Sequence, residues 1–223
     1  MADFRSELTR YLEQRALESL DAMCRKLSPP LQAEAHNLEE INAVDFRVSG
    51  PGKHWLVDFQ YSGDFARYGD IRIDVLSAWQ YKGLVALERR ALQEEMKRDV
   101  PRSAETFAGY LELFMEIVKW GKIYQDNGPQ ALLYFVYNHA VKNVPDVRGR
   151  EPDKAFFLRC RELRDFIERR WRALISDGRL KLNDKSSLGD DHGSAFLAIP
   201  FVDLQRAGLV RPLKSSVFES SDR

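Results

Sequence analysis

The sequence predicts an α+β protein: a three-stranded antiparallel meander plus a fourth strand, flanked by helices and interrupted by a large helical insertion. Three observations predict it. Residues 55–79, WLVDFQYSGDFARYGDIRIDVLSAW, contain two runs in which apolar and polar side chains alternate. Long stretches on either side repeat apolar residues at a period near 3.6, the signature of amphipathic helices. Residues 194–200, SAFLAIP, form a short unbroken apolar run of the kind that fits a strand buried on both faces.

The alternating runs carry the most information. Successive side chains leave a strand on opposite faces. Trp55, Val57, Phe59 and Tyr61 therefore share one face of the first run, and Leu56, Asp58, Gln60 and Ser62 the other. In the second run Ile71, Ile73, Val75 and Ser77 share a face, with Asp70, Arg72, Asp74 and Leu76 opposite. Gly63 and Gly69 bound the connection. Burying both apolar faces together predicts an antiparallel hairpin with Asp58 across from Asp74, Gln60 across from Arg72 and Ser62 across from Asp70. Three carboxylates on one sheet face are a candidate site for a hard divalent cation. The competing reading is a solvated face on which Arg72 bridges its acidic neighbours.

The other elements follow in chain order. Apolar residues at helical spacing, among them Leu8, Leu12, Ala16 and Leu20, predict a helix over 4–27, ended by Ser28-Pro29-Pro30. Residues 31–42 read as a shorter helix and 44–49 as a strand, with Gly50-Pro51-Gly52-Lys53 as a hairpin turn. Helices are expected over 81–98, from Ser103 to Val118, over 130–144 and over 154–176, with the turn Asp126-Asn127-Gly128-Pro129 between the second and third. Residues 177–193 have loop composition, and 202–207 read as a short helix capped by Gly208. The implied organisation is an N-terminal helix in 1–30, an α/β core in 31–98 and 194–213, a helical insertion in 99–193 and a disordered tail in 214–223.

Composition bounds the function classes. The 223 residues suffice for one large domain or for a core with a sizeable insertion, and the apolar fraction is 44%. Basic and acidic residues number 34 each, so net charge gives no argument for nucleic-acid binding and any basic surface must be local. Cys24 and Cys160 match no metal spacing, which points to a reduced, cytoplasmic setting. No apolar run reaches the roughly 18 residues of a membrane span, so no membrane is expected. The N-terminal stretch carries acids and lacks an apolar core, so it does not read as a secretory signal. His36, His54, His139 and His192 are scattered without ligand spacing, and neither a phosphate-binding glycine loop nor a nucleophile elbow is present. Asp190-Asp191-His192 reads as a solvated loop. The Arg-rich stretch from Arg159 to Arg172 is interleaved with Glu162, Asp165 and Glu168, as in a salt-bridged helix face.

With its elements in this order, the chain resembles the αβββαβ core of the PD-(D/E)XK nuclease superfamily. There an acid on the first helix, an aspartate on the second strand and a (D/E)-x-K tripeptide on the third hold one or two magnesium ions. The resemblance implies Glu39 or Glu40 as the helix acid, Asp58 as the aspartate, Asp70-Ile71-Arg72 as the tripeptide, and Asp74 as an extra acid. Arg72 stands where the superfamily has lysine; it can stabilise an anionic transition state but cannot act as a base. Lys82, in the following helix, is the candidate replacement. The implied activity is magnesium-dependent hydrolysis of phosphodiester bonds in nucleic acid, by a nuclease-like protein of a prokaryotic mobile element or defence system. The alternative is a non-catalytic α+β adaptor that binds nucleic acid or a partner protein.

Overall fold

A computed structural model of the chain describes residues 7–36, 44–76, 121–184, 193–213 and 218. The chain is α+β, with a mixed sheet of six strands and a second sheet of three. It divides into two compact units: Met1–Asp70, Asn127–Leu163 and Pro200–Arg223 form the first, Ile71–Asp126 and Arg164–Ile199 the second.

The first unit begins with helix α1 (Glu7–Cys24), whose buried Leu8, Leu12, Ala16, Leu20 and Cys24 recur every four residues and make one apolar stripe. Strands β1 (Gln32–Ala35), β2 (Phe46–Gly50) and β3 (Lys53–Ser62) follow as an antiparallel meander. The tight turn between β2 and β3 places Gly52 at φ 70°, a conformation that suits glycine. After β3 come a one-turn helix α2 (Phe65–Tyr68) and strand β4 (Asp70–Leu76). Strand β5 (Ala131–Val136) then lies parallel to β3, and β6 (Lys154–Arg159) antiparallel to β5. The short helix α3 (Val144–Val147) lies between these two strands in sequence, and α4 (Cys160–Ser176) continues directly from β6. Strand β7 (Leu180–Asp184), strand β8 (Gly193–Pro200), helix α5 (Phe201–Arg206) and the two-residue strand β9 (Arg211–Pro212) complete the chain. The large sheet runs β1-β2-β3-β5-β6-β9 and the small one β4-β8-β7.

Helix α1 packs on the large-sheet face formed by Phe46, Val48, Val57, Phe59, Ala131, Leu133, Phe135 and Phe157. Every residue of β5 is buried, because it lies between β3 and β6 with both faces covered. Each large side chain so enclosed contributes roughly 1.5–3 kcal/mol of hydrophobic stabilisation. In the second unit β7 and β8 are antiparallel, with Leu180 opposite Leu197, and β4 is the other neighbour of β8. Ile71, Ile73, Leu197 and Ile199 are buried there, while Arg72 is exposed.

Several expectations are corrected. Residues 32–35 are a strand, not part of a helix. Residues 131–136 are a strand: ALLYFV is apolar at every position, and short apolar runs carry no period that separates helix from strand. Residues 154–159 are strand β6, so the helix expected over 154–176 begins at Cys160. Residues 180–184, expected in a loop, are strand β7. The hairpin of the two alternating runs is not formed, since β3 pairs with β2 and β5 and β4 with β8. The faces are nevertheless as expected for β3, with Trp55, Val57, Phe59 and Tyr61 on its α1 side, and for Ile71, Arg72 and Ile73 of β4. The helices expected over 81–98 and from Ser103 to Val118, and the tail after Leu213 apart from Phe218, lie outside the described residues.

Candidate functional site

The face of the large sheet opposite α1 carries polar side chains in its left half. Rows across the strands follow from the pairing. One row is Glu34, Arg47 and Leu56. Continuing the same registers by one residue aligns His36, Asp45 and Asp58, followed by Leu132 on β5. The next rows are Gln60, Tyr134 and Phe156, then Ser62, Val136 and Lys154. Cross-strand neighbours in such a row stand about 4.5–5.5 Å apart.

Asp45 and Asp58 are both buried, at 6% and 2% exposure. Asp45 closes the end of the β2–β3 ladder. Its Oδ2 accepts a hydrogen bond from the Phe59 backbone N–H at 2.8 Å, and its carbonyl accepts one from the His36 N–H at 2.8 Å. A single residue thereby ties three strands together. Asp58 pairs with Leu132 of β5, whose own partner on β6 is Leu158. Gln60 and Arg47 flank Asp58 and Asp45 along β3 and β2. The Oε1 of Gln60 and the Nε of Arg47 are buried without a hydrogen-bond partner among the described residues. Beyond Gln60 the face becomes aromatic. Tyr134 stacks on Phe156 with centroids 5.5 Å apart, Phe156 meets Phe201 at 5.2 Å, and Phe201 meets Phe65 at 5.5 Å.

The residues expected at the site are distributed as follows. Asp58 projects from the middle of the large sheet, across from Leu132 rather than Asp74. Asp70 opens β4 and is partly buried. Arg72 is exposed on β4, its guanidinium 4.9 Å above the Phe196 ring of β8. Asp74 belongs to β4, but its side chain lies outside the described set, as do Glu39, Glu40, Lys82 and the Asp190-Asp191-His192 loop. Asp58 belongs to the large sheet, and Asp70 and Asp74 belong to β4 of the small one. Among the described residues, no group of three or more His, Cys, Asp or Glu side chains is arranged to hold a metal ion.

Asp45 was missed by sequence reasoning, although a signal for it existed. The Gly50–Lys53 turn fixes the β2–β3 register, and counting back from the pair Gly50–Lys53 sets Asp45 opposite Asp58. His36 and Arg47 join the same face by the same counting.

Away from this face, the titration behaviour is structural. Asp146 accepts hydrogen bonds from the N–H groups of Lys142 and Asn143, which hold its carboxyl below the usual range. Arg15 of α1 donates to the Val147 and Arg150 carbonyls and pairs with Glu151 at 2.7 Å, pinning the loop before β6. Both cysteines are buried and neither is in a disulfide, and burial, aided by Asp21, pushes the Cys24 thiol up to about 12. Among the described residues no helix is long and apolar enough to cross a membrane. No protein-family model matches the chain, and no curated protein or solved structure matches it.

Proposed function

We propose that the chain is a metal-dependent, nuclease-like protein of the PD-(D/E)XK type whose site is built on β2 and β3. What carries the reading is the placement of Asp45, Asp58 and Gln60. Once β1 is counted as the first strand, the aspartate of the second strand is Asp45, which immediately precedes β2, and the third strand carries Asp58-Phe59-Gln60 in place of (D/E)-x-K. This reading sets the site one strand earlier than Asp58 with Asp70-Ile71-Arg72, because residues 32–35 form a strand. Helix α1, three antiparallel strands and a further strand beside the third keep the order of that superfamily's core.

The donor chemistry suits magnesium. Two carboxylates and an amide offer only hard oxygens, and the buried Gln60 Oε1 has no hydrogen-bond partner among the described residues. Magnesium commonly takes one or two carboxylates and keeps several waters, so a third acid is not required. Asp45, Asp58 and Gln60 would hold the ion. When bound, it would supply Lewis-acid chemistry for hydrolysis of a phosphodiester. The protein's own part is to orient and to exclude water. The Asp45–Phe59 hydrogen bond fixes one carboxylate, the burial of β3 fixes the other, and Arg47 in the neighbouring row offers positive charge to an anionic phosphate. Gln60, an amide, cannot serve as a base.

Incubation of the full chain with labelled DNA and RNA, with and without magnesium or manganese, tests this reading. Metal-dependent cleavage that Asp58→Asn and Asp45→Asn each abolish, with the fold retained by circular dichroism, is the expected result. Absence of cleavage across single- and double-stranded substrates would favour the adaptor reading, in which the buried Asp45 contact is purely architectural.

A further inference from the structure

Among the described residues, two large apolar side chains remain about half exposed: Tyr68 at 50% and Val202 at 47%. They flank a single hydrogen bond, from the Phe201 N–H to the Gly69 carbonyl at 3.0 Å. The turn that presents Tyr68 is firmly held. The N–H groups of Asp64, Phe65 and Ala66 donate to the carbonyls of His139, Tyr137 and Asn138, and the Phe65 ring packs edge-on against Phe201. Asp64 sits at φ 58°, unusual for a residue with a side chain, and Gly69 closes the turn at φ 65°. An aromatic ring left in water on a rigid turn loses little conformational freedom when something stacks on it.

Three cations stand exposed around the turn. The Arg67 guanidinium lies 5.2 Å from the centre of the Tyr68 ring. Lys154 is exposed, with its Nζ 5.6 Å from the Phe201 ring. Arg206, exposed on α5, follows Val202 by four residues and so shares its helix face. Of the nearby acids, Asp64, Asp70 and Asp203 are less exposed than the cations, Asp203 lies 4.0 Å from Arg206, and the exposed Asp153 accepts a hydrogen bond from the Asn138 N–H.

We propose that this surface, Tyr68 and Arg67 on the α2 turn with Lys154, Val202 and Arg206 around them, binds single-stranded nucleic acid by stacking a base on Tyr68. An exposed ring can stack only on a base that has left its helix, which selects a single strand over a duplex, and the guanidinium and ammonium groups match its phosphates. The surface rests on the nuclease reading in that it would deliver a strand to that site. Its binding needs no metal, so the two can fail separately.

Fluorescence anisotropy with a labelled single-stranded oligonucleotide, DNA and RNA in turn, and with the matching duplex, all in EDTA, tests the proposal. The wild type should bind a single strand more tightly than the duplex. Tyr68→Ala should weaken that binding about tenfold, and Tyr68→Trp should restore it. Arg67→Gln should reduce the slope of log affinity against log salt by about 0.7. Because these side chains are exposed, melting temperatures should be unchanged, and that is checked in parallel. Equal binding of strand and duplex, an unaltered affinity in Tyr68→Ala, or no nucleic-acid binding by the wild type would overturn it, the last leaving a protein partner as the occupant.

Discussion

Strands β3 and β4 look alike in the sequence and end in different places. Both alternate apolar and polar residues, and both carry acids on the polar face. β3 became a middle strand of the six-stranded sheet, between β2 and β5. β4 became an end strand of the three-stranded sheet, beside β8. The same pattern buries Asp58 but leaves Arg72 exposed. Alternation dictates which side chains share a face; it says nothing about which strand lies alongside. The partner is chosen by what else needs covering. β5 is apolar on both faces and cannot be an edge, so it takes the place beside β3 that a hairpin would have given to β4.

The largest expected effect is on β5. Phe135→Ala should cost about 3–5 kcal/mol, read as a loss in urea midpoint at constant slope, because the ring is enclosed and meets Phe59 edge-on at 5.2 Å. A loss below about 1 kcal/mol would mean that β5 is not the central strand. On β4 the two faces should separate clearly. Ile73→Ala should cost about 2–5 kcal/mol. Arg72→Ala should cost only about 0.5–1 kcal/mol, the worth of an exposed cation over the Phe196 ring. Similar losses for the two would show the faces of β4 to be wrongly assigned.

Alkaline pH gives a gentler probe of the α1 side of the large sheet. Burial raises the Cys24 thiol from 9.0 to about 12 and the Tyr137 phenol from 10.0 to about 12. The native state therefore keeps protons that the unfolded chain releases. Stability from these groups is complete below about pH 9 and declines as pH rises through 9 to 12. Denaturation midpoints should fall between roughly pH 8 and pH 10.5, and Cys24→Ala should fall less steeply than wild type. A flat profile would contradict the burial.

The smallest effect is the most selective. Gln60→Met removes a buried oxygen that has no hydrogen-bond partner among the described residues, so in EDTA it should be neutral or slightly stabilising. A loss above about 1 kcal/mol would show that the amide makes a contact the protein depends on.

How much of this was legible in the sequence depends on the kind of information. The stripe of α1, the alternation of β3 and β4, the strand at 194–200 and the short helix before Gly208 were all readable, because each is a local pattern. Pairing was not. It depends on competition among strands distant in the chain, and ALLYFV, the neighbour of β3, is apolar at every position and so carries no period that separates strand from helix. Residues 32–35 form strand β1 rather than helix, and the proposed reading therefore joins Asp58 to Asp45 and Gln60 instead of to Asp70 and Asp74. Asp45 could have been found from the turn at Gly50–Lys53, and the aromatic strip from Tyr134 to Phe65 could not, since it is assembled from β5, β6, α2 and α5.

The central claim is that the carboxylates that matter lie on β2 and β3 and not on β4. Thermal unfolding with and without manganese, for the wild type, Asp58→Asn and Asp70→Asn side by side, tests it most directly, since an ion that binds only the folded state raises its melting temperature. Manganese should raise the melting temperature of the wild type and of Asp70→Asn and leave that of Asp58→Asn unmoved. A shift that survives Asp58→Asn but disappears in Asp70→Asn, or no shift in the wild type, would contradict the account.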